Sequence, residues 1–99
     1  MKITARYPWA AYEIWKWIER IERIYGPDIT WTSFYRPRWY NVLVGGLWNS
    51  CHLKAKAADG APADGKPGDL AGRARATAPF KGQVVVEQEK GIVHLEIED

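Results

Sequence analysis

Apolar residues recur at helical spacing near the start of the chain, as Ile14, Trp17, Ile18, Ile21, Ile24 and Tyr25, while Glu13, Lys16, Arg20 and Arg23 fall between them. This pattern predicts an amphipathic helix from Pro8 to about Tyr25, stopped by Gly26-Pro27 and laid over one face of a sheet. Ile29 to Tyr35 is β-branched and aromatic and reads as a strand ending at Arg36-Pro37. Arg38 to Val44 reads as a short helical connector before the turn-forming pair Gly45-Gly46. The Ala, Pro, Gly and Asp-rich run from Gly60 to Gly68 reads as a mobile loop. Asp69 is placed to cap a helix from Leu70 to Ala78, with Leu70, Ala74 and Ala78 on one side and Pro79 beyond its end.

Gln83 to Glu89 and Ile92 to Glu98 read as two strands joined at Lys90-Gly91. A two-residue hairpin loop there pairs residue 89 with 92, setting Val84 opposite Ile97, Val86 opposite Leu95 and Glu87 opposite His94. Side chains alternate along a strand, so Val93, Leu95 and Ile97 enter the core while His94 and Glu96 point the other way.

Ninety-nine residues fit one domain, 1–99, and 46% apolar with 26% charged residues is the balance of a globular chain. Six tryptophans are expected to supply much of the buried area, with Trp17 and Trp31 in the core. A net charge of +2 without a basic stripe gives no reason to expect nucleic acid. Cys51, the one cysteine, excludes an intrachain disulfide. No stretch approaches the roughly 18 apolar residues of a membrane span, and no apolar leader core follows Met1, so a cytoplasmic location as synthesised is expected.

Candidate chemistry is concentrated in Asn49 to Asp59, where His52 and Asp59 stand seven residues apart, and in the last strand, which holds His94. Two imidazoles and one carboxylate, with a fourth position open, form the donor set of a catalytic zinc site. A His and an Asp at this spacing are common, and by themselves they read more readily as a surface or hydrogen-bonded histidine than as a metal ligand.

Further residues carry a resemblance. Ser50, His52, Ala57 and Asp59 match the signature S-x-H-x-x-G-x-A-x-D, with Ala55 in place of its glycine. Upstream, Thr32-Ser33-Phe34-Tyr35-Arg36, then Tyr40-Asn41, Val44-Gly45-Gly46 and Asn49-Ser50, resemble T-S-G-Y-R leading into N-x-x-V-G-G and N-S. Downstream, Phe80, Gln83, Glu87 and Val93-His94 resemble a phage-type ending F-x-Q-x-x-x-E…V-H, with one inserted residue after the Phe. From Ile29 onward the chain thus resembles the zinc D-alanyl-D-alanine carboxypeptidase family. That family includes L-alanyl-D-glutamate endopeptidases and shares its fold with the Hedgehog signalling domain.

The resemblance implies one Zn2+ per chain on His52, Asp59 and His94, with Arg36 stabilising the oxyanion and Glu87 as general base. Glu89 is a rival base two residues along. Glu96 is read either as orienting a ligand or substrate or as a solvated charge, and Ser50 either as a substrate contact or as a turn residue. Trp48 and Trp39 are candidates to wall the cleft, and Cys51 is expected to point away from the metal. If the family glycine has positive φ, Ala55 costs about 1 kcal/mol there.

The expected architecture is α+β, a small antiparallel sheet with helices mainly on one face and the site on the other. The expected activity is zinc-dependent hydrolysis of a peptide bond in peptidoglycan stem peptides, of D-Ala-D-Ala carboxypeptidase type. The alternatives are an endolysin-like L-Ala-D-Glu endopeptidase and a non-catalytic zinc-stabilised binding module. A phage-type monomer that takes a peptidoglycan peptide, with no nucleic-acid or membrane partner, is expected to reach the cell wall after phage-mediated release.

Overall fold

The computed structural model describes residues 1–35 and 55–98. The first amphipathic segment forms α1, Tyr12–Tyr25, and buries Ile14, Trp17, Ile18 and Ile21. It begins four residues after the expected Pro8 because Tyr7 to Ala11 forms a non-helical arm, in which the Trp9 amide turns back onto the Tyr7 carbonyl at 2.9 Å and the Ala11 amide donates to the Ala55 carbonyl at 2.8 Å. Gly26, at φ 107°, ends α1 as its composition suggests. Ile24 belongs to the expected stripe but is 44% exposed, in the last turn of the helix.

Among the described residues, five strands follow the order β1-β2-β3-β5-β4, where β1 is Lys2–Ile3, β2 Ile29–Ser33, β3 Ala57–Pro62, β4 Gly82–Glu87 and β5 Ile92–Ile97. Every pair is antiparallel except β1 with β2, so the sheet is mixed rather than purely antiparallel. The parallel pair needs a crossover connection, and α1 supplies it.

β3 overturns the reading of Gly60 to Gly68 as a mobile loop, since Ala57–Pro62 is the middle strand and is nearly all buried. Its small side chains have a steric cause. A Cβ at Gly60 would lie 2.7 Å from the Trp31 ring, which lies against this strand. The second helix, α2, runs Pro67–Ala76, starting and ending earlier than Leu70 to Ala78. Lys66 occupies the cap position without a side-chain bond, Pro67 begins the first turn, and Asp69 lies inside that turn, where its charge complements the helix dipole.

Among the described residues, α1 and α2 share one core with the sheet: Ile14, Trp17, Ile18 and Ile21 from α1, Leu70, Ala71 and Ala74 from α2, and Ile29, Trp31, Ala58, Val93 and Leu95 from the strands. Burying each large side chain contributes about 1.5–3 kcal/mol. α1 also satisfies the end of α2, since Trp17 Nε1 donates to the Ala74 carbonyl at 3.0 Å and Arg20 Nε to that of Thr77 at 3.2 Å. Ala78 lies beyond the helix and is exposed. Strand alternation sends Asp59, His94 and Glu96 to the sheet face away from this core.

Candidate active site

The site is built on the β3–β5 ladder, where Asp59 stands directly across from His94. The two side chains meet, His94 Nδ1 lying 2.8 Å from Asp59 Oδ1. On the ring's other side, His94 Nε2 lies 3.2 Å from Glu96 Oε1. Side-chain exposure is 6% for Asp59, 16% for His94 and 22% for Glu96, so the row opens gradually toward solvent. A carboxylate as buried as Asp59 requires a paired charge or hydrogen-bond donors to offset its lost hydration.

Burial by itself lowers the pKa of the His94 ring. The hydrogen bond and charge of Asp59, helped by Glu96, outweigh burial and leave it above its ordinary value of 6.5. With a proton on each nitrogen, the ring donates to both carboxylates at once.

The hairpin register differs from the expected one by two residues. Val85 stands opposite His94, Val84 opposite Leu95, Val86 opposite Val93, and Glu87 opposite Ile92. The reason is the connection: Gln88–Lys90 form a 3-10 turn and Gly91 adopts φ 64°, so four residues close the hairpin rather than Lys90-Gly91 alone. An even shift preserves which face each side chain occupies. Glu87 therefore stays on the His94 face as a diagonal neighbour, a relationship in which side chains are about 7–8 Å apart. It also pairs with Lys90 Nζ at 3.7 Å. Glu89, the rival base, lies in the 3-10 turn and off the ladder.

β2 borders the site with an irregularity that no sequence signal marks. Trp31 pairs with Gly60 and Ser33 with Asp59, so Thr32 is an extra residue in a β-bulge. Its hydroxyl donates to the Asp59 carbonyl at 3.4 Å. Ala55 has φ 57°, the left-handed conformation in which the signature's glycine is at ease and alanine is not. Two contacts from the arm flank this region: Tyr35 donates its amide to the Trp9 carbonyl at 3.1 Å, and Ala55 accepts from Ala11. Tyr7, Trp9 and Tyr35 pack together beside them, with Tyr7 and Trp9 stacked at 5.6 Å.

Arg36, Trp39, Trp48, Ser50, Cys51 and His52 lie outside the described residues. Among the described residues no three His, Cys, Asp or Glu side chains form a metal-holding group. Asp59 and His94 nevertheless fit a shared ion as a donor pair. Two ligands on one tetrahedral zinc, each bonded at about 2.0–2.2 Å, stand roughly 3.3–3.6 Å apart. The observed 2.8 Å contact is within about 1 Å of that separation.

Compared with known protein families, the chain matches the family model described as Peptidase M15 over residues 2–96. No curated protein and no solved structure matches it.

Proposed function

Because the chain belongs to the peptidase M15 family, whose model spans residues 2–96, we propose that it hydrolyses a peptide bond in the stem peptides of peptidoglycan with one zinc ion held by His52, Asp59 and His94. The observation that carries this reading is the contact between Asp59 and His94, two of the three signature donors, on the face opposite the helices. Zinc in such a site activates water near neutral pH and polarises the attacked carbonyl.

The chain's own residues divide the remaining work. Asp59 and His94 are held by paired strands rather than by a loop, which keeps their separation fixed as substrate arrives. Asp59 brings the negative charge that a divalent cation requires in a buried position. Glu87, on the same face, takes the proton from the attacking water and returns it to the leaving amine. Arg36 is assigned to the oxyanion that develops on the carbonyl, with Ser50 and Trp48 contacting substrate.

The bond we favour is the terminal one of a D-Ala-D-Ala stem. The test is incubation of zinc-loaded protein with defined muropeptides, followed by mass analysis of the products. Loss of one alanine is the expected result, and a split stem would reassign the cut to the internal L-Ala-D-Glu bond. Intact muropeptides after incubation with fully zinc-loaded protein would overturn the hydrolytic reading in favour of a binding module.

A further inference from the structure

We propose that Glu96 is a positioning residue that decides which nitrogen of His94 is offered to the metal, so that Nδ1 binds and Nε2 keeps the proton. The inference rests on the zinc reading above and deepens it. Each ring nitrogen of His94 faces a carboxylate oxygen, at 2.8 Å for Nδ1 and 3.2 Å for Nε2. A neutral imidazole has one N–H and one lone pair. Whichever nitrogen lacks the proton then turns its lone pair toward a negatively charged oxygen. A positive centre at that nitrogen, a second proton or a metal ion, makes both contacts favourable.

The two sides are not equivalent. Asp59 has 6% side-chain exposure and Glu96 22%. A buried carboxylate loses more hydration and gains more from a shared cation, so the metal belongs between Nδ1 and Asp59. Glu96 then accepts the remaining N–H. A carboxylate in that position fixes the tautomer and orientation of a ligating histidine and raises its basicity. The strand geometry favours the same division. Asp59 reaches His94 across the ladder, whereas Glu96 is two residues along the same strand and leans against the ring from the side.

The test combines zinc affinity with direct observation of the ring. Chelator competition on the full chain compares wild type, Glu96→Leu and Glu96→Gln. Proton–nitrogen correlation NMR reads the His94 tautomer in the zinc-loaded wild type. Thermal unfolding of each metal-free variant checks that it folds. Expected are an Nε2–H tautomer, an affinity loss of about 10–100-fold in Glu96→Leu, and partial recovery in Glu96→Gln, whose amide oxygen still accepts a hydrogen bond from Nε2–H. Wild-type affinity in folded Glu96→Leu, or a proton found on Nδ1, would overturn the role of Glu96 and leave the zinc site standing. A wild-type chain that takes up no zinc would instead overturn the metal reading, and this assignment with it.

Discussion

The two faces of the central sheet are made from the same strands and have opposite chemistry. On the helix side, Trp17, Trp31, Ile14, Ile18 and Leu70 interlock at close to zero exposure. On the other side the same ladder presents a carboxylate, an imidazole and a second carboxylate in contact. Residues 59 and 60 are neighbours in β3, yet one faces a histidine and the other an indole ring. The first face is stabilised by area removed from water and the second holds polar groups that cost stability unless each finds its partner. The apolar side carries the fold and leaves the other side free to be arranged for chemistry.

Trp17→Ala should break that division most severely. It removes a fully buried indole and its hydrogen bond to Ala74, and should cost about 3–5 kcal/mol in urea unfolding. A loss below about 1 kcal/mol would show that the helix face is not the source of stability.

A smaller effect, visible only through pH, should come from the polar face. Burial opposes a charged His94 ring, but Asp59 and Glu96 raise its pKa above 6.5, so the folded metal-free protein binds that proton more tightly than the unfolded chain. The stabilisation from His94 is fully present below the unfolded pKa and is lost as pH rises through the higher folded one. Urea midpoints of metal-free wild type should therefore fall across this window, and His94→Gln should remove that part of the slope. A wild-type slope that persists unchanged in the variant would assign it to other groups.

The smallest effect should come from Ala55→Gly, which relieves a left-handed alanine at φ 57°. Glycine's extra freedom in the unfolded chain offsets part of the gain, leaving about 0.5–1 kcal/mol of added stability by thermal unfolding. Destabilisation would show that the methyl group makes a compensating contact.

How much of this was legible differs between the faces too. Helical spacing located α1, and β-branched or alternating runs located β2, β4 and β5, because burial on one side imposes a period. β3 was not legible as a strand: Ala57-Ala58-Asp59-Gly60-Ala61-Pro62 lacks the β-branched and aromatic residues that mark one. Its composition answers to the Trp31 ring, a tertiary neighbour that local pattern does not reveal. The site was legible in parts. Asp59 and His94 stand out by motif, but their pairing across adjacent strands does not, because Ala57-Ala58 carries no strand signal and the run from Gly60 reads as a loop. Glu87 was placed on the right face and two residues from its true partner, since alternation survives an even slip while register depends on the turn.

The bulge at Thr32 resets the strand's phase. Ile29 and Trp31 count inward by twos, which would carry Ser33 and Tyr35 to the core next; with one residue doubled, Phe34 takes the inward place and is fully buried against Trp15. One strand thus runs in two reading frames, and the frame changes at the point where it passes Asp59. A sequence comparison that aligned this strand without the extra residue would exchange a core position for a surface one from Phe34 onward, although every residue name before it matched.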